Sequence, residues 1–253
     1  MTESPLSQFE LHRLIPFHLG THDISFTNSS LMMSLSVLLA LALMVLGGLP
    51  RQMVPGRLQS LAELTYEFVA GMVRDNCGTD GMKYMPAILA LFLFVLFGNV
   101  FGLIPGSFTF TSHIIITLAM AATIFVLVTC LAIWRHGLHF FSFFLPAGVP
   151  WWMWWLIIPI EIVSYLSRPM SLSVRLFMNM FVGHMLMYIV SGFAVALGLY
   201  FGSVHLGYGI LAGAFPVVLN IGLTFLEILV AVLQAYVFAV LTSLYLKDAL
   251  ELH

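Results

Sequence analysis

The sequence predicts an all-α polytopic membrane protein: about five transmembrane helices, an amphipathic surface helix, and a long, strongly tilted C-terminal helical hairpin. Three observations lead there. Hydrophobic residues make up 61% of the 253 positions and charged residues only 8%, too few to give a soluble domain of this length its polar surface. Apolar segments of spanning length follow one another through short polar joins, without a Ser-, Pro- or charge-rich linker, so 1–253 reads as a single membrane unit. The last two apolar segments, 169–200 and 216–246, are each about thirty residues, or ~45 Å as helix, against a hydrocarbon core of about 30 Å.

Ahead of the first span lies a segment, 1–29, with Arg13 and three histidines. It lacks the basic-then-apolar-then-small pattern of a cleaved signal peptide and is expected on the outer side. The first span, 30–49, ends in Gly47-Gly48-Leu49-Pro50-Arg51. Segment 58–77 differs: Gln59, Glu63, Glu67 and Arg74 share one helical face, while Leu61, Leu64, Phe68, Val69 and Met72 cover much of the rest. It is expected along the membrane surface, or else as a short soluble helix packed on a partner. Segments 86–104 and 113–134, joined by Pro105 to Ser112, read as a tight transmembrane hairpin, 86–134. The aromatic stretch 140–155, with Trp151, Trp152, Trp154 and Trp155, suits the headgroup belt and is expected at an interface. A fourth crossing begins near Trp155 and runs through Arg175 to Tyr200. The final helix makes a fifth, so that 155–247 forms the tilted hairpin, with Gly202, Gly207 and Gly209 as its turn. Such tilt is normally dictated by a neighbouring protein surface.

Lys and Arg set the orientation. Arg51, Arg57, Arg74 and Lys83 lie between the first two spans, Arg135 follows the third and Lys247 the last, whereas the joins 105–112 and 201–208 hold none. The C-terminus is therefore expected on the cytoplasmic or matrix side and the N-terminus outside. A net charge of -2 with no basic run excludes a nucleic-acid partner. Cys77 and Cys130 fit no metal spacing, and His136 with His139 lacks a third ligand, so an interfacial location suits those histidines better and neither a metal nor a cofactor is expected.

Arg175 is the most informative residue. The 71 positions 176–246 contain one formally charged side chain, Glu227. A guanidinium stays protonated wherever it sits and costs about 2.5 to 3.5 kcal/mol at a bilayer centre even on lenient scales, which marks an ion pathway. Ser171, Arg175 and Asn179 recur at four-residue spacing and stack on one helical face, stepping by roughly 40°. Glu161 lies fourteen residues before Arg175, close to the same face at ~21 Å if the helix is continuous, too far to neutralise it. On the last helix Glu227 and Gln234 share a face that Tyr245 continues, and His184 falls roughly opposite Arg175.

The block Glu161 to Met180 with Gly183-His184, the run Leu233-Gln234-Ala235-Tyr236-Val237-Phe238 with Tyr245-Leu246, and Asn99-Val100-Phe101-Gly102-Leu103-Ile104-Pro105 closely resemble subunit a of the membrane sector of rotary F-type ATP synthases. The likeness covers most of the chain beyond about residue 30. It implies a stator subunit with no catalytic site of its own, in which Arg175 faces a ring of hairpin c subunits bearing a mid-membrane carboxylate. Asn179 and Gln234 would be its polar neighbours. Glu161 would line the release half-channel, and His184, Glu227 and Asn99 the uptake half-channel. Some family members carry a carboxylate where this chain has His184 and a histidine where it has Glu227, so the exchange keeps one acid and one imidazole in the pocket. The resemblance also implies b-type peripheral-stalk partners and a bacterial inner membrane, or alternatively a mitochondrial one.

Other classes fit less well. A secondary ion-coupled transporter or ion channel would also use intramembrane charge, but no internal repeat or matched pair of interrupted helices is present. An intramembrane hydrolase would need a nucleophile and base or a metal triad, and neither occurs.

Overall fold

The computed structural model describes residues 10–16, 18–19, 22–23, 25–49, 54–104, 107–137, 151–203 and 205–250. Six helices dominate: α1 Asn28–Gly48, α2 Arg57–Gly81, α3 Met85–Gly102, α4 Ile114–His136, α5 Trp154–Gly202 and α6 Leu206–Leu250. All but α2 are long and apolar enough to cross a membrane, giving the expected five spans of a multi-pass membrane protein. The sequence pattern gave no hint of strands before α1. Yet β1 Arg13–Ile15 pairs antiparallel with β4 Phe26–Thr27, and β2 His18–Leu19 with β3 His22–Asp23. Asn28 ties this small ladder to the first span: its Oδ1 accepts from Ser29 N at 2.9 Å and His12 N at 3.3 Å, and its Nδ2 donates to Glu10 O at 3.2 Å. Thr27 caps α1 by accepting from Ser30 N.

Helix α6 is the centre of the packing, lying against α2, α3, α4 and α5. Ala231, Ala235 and Ala239, one turn apart, are fully buried along it. Small side chains there let neighbouring backbones approach, which replaces the hydrophobic drive that is missing between helices in lipid. Val69 and Val73 of α2, Leu93 and Val95 of α3, and Leu176 of α5 complete the core. Polar ties reinforce it: Asn76 Nδ2 donates to Ser243 Oγ, and Cys77 Sγ to Ser243 O, both at 2.9 Å.

Several expectations are corrected. Helix α2 is kinked at Gly78, whose φ of 63° is not helical, so its first part ends at Cys77 as expected, but its apolar residues divide. Leu61, Leu64 and Phe68 are exposed, whereas Val69, Met72, Val73 and Cys77 enter the core. Gln59, assigned to the polar face, is buried, and its amide donates to Glu63 Oε1 one turn on at 2.8 Å. Helices α3 and α4 do not form a tight hairpin, since each packs on α6 rather than along the other. The connection between them folds inward instead, with Phe110 of the 3-10 turn Phe110–Ser112 fully buried. Gly207 and Gly209 belong to α6 rather than to a turn. A Cβ on Gly209 would lie 2.5 Å from Gly202 Cα, so Gly202 and Gly209 serve a close helix approach, whereas a Cβ on Gly207 would meet nothing within 4 Å.

Helices α5 and α6 have 49 and 45 residues, and α6 begins ten residues before Pro216. At ~1.5 Å per residue they reach about 74 Å and 68 Å, which no untilted crossing accommodates. Proline 159, 169 and 216 do not end them. Each removes one N–H, and packed neighbours in a membrane bundle can re-satisfy the freed carbonyl. Trp152, Trp154 and Trp155 are exposed, as a belt requires, while 140–150, Arg51, Pro105, Gly106 and His139 lie outside the described residues.

Gly98 faces the buried Phe110, and a Cβ there would lie 2.3 Å from its Cζ. We expect Gly98→Ala to destabilise the bundle by about 1–3 kcal/mol, as overpacked cores do. The check is the unfolding midpoint of the purified detergent-solubilised protein. An unchanged midpoint would mean that the Phe110 ring swings clear.

Candidate functional site

The polar residues singled out in the sequence fall into three places along α5 and α6. At the first, α5 and α6 bring His184 and Glu227 together: His184 Nε2 is 3.7 Å from Glu227 Oε1, and Glu227 is only 3% exposed. Gly183 makes this approach possible, since a Cβ on it would lie 2.7 Å from Oε1. Both carboxylate oxygens are buried without a hydrogen-bond partner among the described residues. Asn99 joins from α3, its Nδ2 donating at 3.2 Å to the carbonyl of Ala231, one turn past Glu227. Its Oδ1 is likewise buried and unpaired among the described residues. An acid, an imidazole and an amide with spare hydrogen-bonding capacity thus converge in a packed interior, an arrangement suited to holding and passing a proton.

Arg175 is the second place. It is exposed, with Ser171, on the outward side of α5, and it makes no hydrogen bond or ion pair among the described residues. Apolar side chains surround it on that side: Val174, Met178 and Val182 are all exposed. Asn179 is half-buried and Gln234 buried on α6. A permanent cation without a partner, set in an apolar face, is costly unless something outside this chain supplies the anion.

Glu161, half-buried near the start of α5, is the third. Because α5 is continuous through Pro169, Glu161 stands ~21 Å along the axis from Arg175, and His184 about 13 Å in the opposite direction.

Sequence reasoning missed three further pairings. Thr109 Oγ1 lies 3.1 Å from His184 Nε2. Arg168 donates to Asp248 Oδ2 at 2.7 Å, with its guanidinium 5.8 Å from the Tyr165 and Tyr245 ring centres. Thr117 and Ser173 hydroxyls meet at 3.1 Å, pinning α4 to α5 two residues before Arg175. All three join segments far apart in the chain, and no helical spacing signals them. Only the Arg168-Pro169 step and the charged Lys247-Asp248 end were open to notice. His113, at the start of α4, stacks on Phe108. His136, expected at an interface, meets the carbonyl of Ala249 at 3.1 Å.

Residues 30–247 match the family model described as the ATP synthase A chain. The chain belongs to this family. Curated relatives of the same kind are similar over nearly their whole length. The chain is 50% identical over 250 residues to an ATP synthase subunit a of Rhodospirillum rubrum, covering 99% of each chain. Identity to the ATP synthase subunit a of Paramagnetospirillum magneticum is 47% over 253 residues, with 99% of each covered. For that of Pelagibacter ubique it is 48% over 254 residues, with 100% of each covered. The matched region of the ATP synthase A chain family contains all three places along α5 and α6, together with Asn99 and Thr109.

Proposed function

We propose that the chain is the stator subunit of an F-type ATP synthase in a bacterial inner membrane, coupling proton flow to rotation of a c-ring through two half-channels that meet at Arg175. The carrying observation is the exposed Arg175, without a partner among the described residues, with a buried His184–Glu227 pair to one side along α5 and Glu161 to the other. Membership of the ATP synthase A chain family supports the same reading.

The electrostatics supply the mechanism. A c-ring carboxylate approaching the fixed cation is stabilised as the anion and gives up its proton toward Glu161. Once past Arg175 it loses that stabilisation and takes a proton from the His184 and Glu227 side. Arg175 separates the two routes, because a hydronium crossing directly would enter its positive field. Each proton moved down 100 mV releases about 2.3 kcal/mol, so several ring steps combine to make one ATP. The apolar surface around Arg175 suits a ring of hydrophobic hairpins, and b-type stalk subunits would hold the stator still. On this reading the exposed half of α2 lies along the membrane surface.

Glu161 gives the direct test. Glu161→Gln is expected to slow ATP-driven pumping severalfold while hydrolysis and pumping stay coupled, because the acid passes protons along its half-channel, released there in synthesis and taken up there in pumping, and is not the barrier between the routes. A cysteine at 161 is expected to react with water-soluble thiol reagents added from the cytoplasmic side only. Labelling solely from the opposite side would overturn both the half-channel assignment and the orientation drawn from Lys and Arg.

A further inference from the structure

The polar cluster around His184 extends beyond the three helices that carry Asn99, His184 and Glu227. Thr109 precedes the 3-10 turn between α3 and α4, is 5% exposed, and brings its hydroxyl to 3.1 Å from His184 Nε2. The same nitrogen faces Glu227 Oε1 at 3.7 Å. The shorter distance is a hydrogen bond and the longer one is not, so Thr109 rather than Glu227 holds Nε2 in this arrangement. A hydroxyl is suited to that task. Its rotating hydrogen lets it donate to a bare ring nitrogen or accept from a protonated one, so it can stay bonded through a change in ring protonation.

Thr109 is not a mobile surface residue. Gly102 of α3 makes room for it, since a Cβ there would lie 2.6 Å from both its Cγ2 and its Oγ1. Ser112 Oγ donates to its carbonyl at 2.6 Å, and the next residue, Phe110, is wedged against Gly98. Nearby on the same connection, Thr111 Oγ1 and His113 Nε2 are buried without hydrogen-bond partners among the described residues. Buried polar atoms left without protein partners are where ordered water is found in folded proteins. The 107–113 connection therefore brings the Thr109 hydroxyl to His184 and carries two further buried polar atoms, on Thr111 and His113.

We propose that Thr109 is a positioning residue of the uptake half-channel, its hydroxyl fixing the His184 ring with Nε2 toward Glu227. This rests on the half-channel reading above. The test is ATP-driven proton pumping by the assembled complex in inverted membrane vesicles, measured across pH. Thr109→Val keeps the shape and loses the hydroxyl. It is expected to slow pumping by about 2- to 10-fold, the effect of one lost hydrogen bond, and to displace the pH profile. Thr109→Ser, which keeps the hydroxyl, is expected to restore both. Should the valine variant fail to assemble, Thr109→Ala against Thr109→Ser isolates the hydroxyl in the same way.

A parent-like rate in Thr109→Val, a serine variant as slow as the valine one, or a lowered rate with an unchanged pH profile would each overturn the proposal. The last outcome would mark lost packing instead of a lost bond to a titrating ring. Glu227→Gln separates this failure from that of the underlying reading. If Glu227→Gln pumps slowly while Thr109→Val is normal, only the role of Thr109 falls. If Glu227→Gln itself pumps at the parent rate, the half-channel reading falls.

Discussion

Arg175→Ala is expected to abolish proton-coupled ATP synthesis and ATP-driven pumping while leaving the complex assembled. The side chain is exposed and makes no hydrogen bond or ion pair among the described residues, so its removal takes away a charge without opening a cavity in the core. Its neighbours Leu172, Ser173 and Leu176, which pack α5 against the bundle, stay in place. On the proposed mechanism, removing the cation leaves nothing to favour the ionised c-ring carboxylate as it passes, and nothing to keep the two half-channels electrically apart. We therefore expect passive proton leak through the membrane sector to persist or rise even as coupled transport disappears. Arg175→Lys is expected to rescue poorly, because the ammonium loses the planar multi-donor fork and can deprotonate where solvation is poor. Pumping in inverted vesicles with matched amounts of assembled complex decides the matter. Normal pumping by Arg175→Ala would remove the central assignment.

How much of this could be read from the sequence depends on the range over which each interaction acts. The five spans were legible because burial in hydrocarbon requires a continuous apolar run, and such runs are local. The isolation of Arg175 and Glu227 was equally visible, since charge is scarce in 176–246. The residues alone showed His184 and Glu227 only as two ionisable groups on successive long helices, and it was the family resemblance that placed them in one pocket. The glycine at 183 that lets the carboxylate approach has no signature of its own. Gln59 was misread because an amide on a polar face and an amide satisfied one turn away look the same in a helical projection. The α3–α4 connection was misread because a short join between two spans suggests adjacency, whereas α6, which begins only at Leu206, lies against both. Thr109 stayed invisible for the same reason. Its partner is 75 residues away, and the fold that unites them is made by Gly98 and Gly102 yielding space to Phe110 and Thr109.

His184 and Glu227 are expected to act as one unit, giving shared titration and strongly non-additive mutants. At 3.7 Å the imidazole and the carboxylate are close enough that the charge on either depends on the other, and no third charged group is paired with Glu227 among the described residues. Glu227→Gln and His184→Ala should each slow pumping by about tenfold or more, the range typical of a displaced proton donor or acceptor. Their combination should cost far less than the product, with a coupling of about 5- to 150-fold, as for contacting residues in one network. The exchanged variant, His184→Glu with Glu227→His, is the sharper experiment. It keeps one acid and one imidazole in the pocket, and Gly183 offers the new ring at 227 a neighbour without a side chain. Partial recovery over either single variant, with a displaced pH profile, is the result the geometry calls for. Strict additivity across the cycle, with no recovery on exchange, would mean that the two groups serve different routes. The contact between α5 and α6 would then be one of packing, and the uptake half-channel would have to be sought around Asn99 alone.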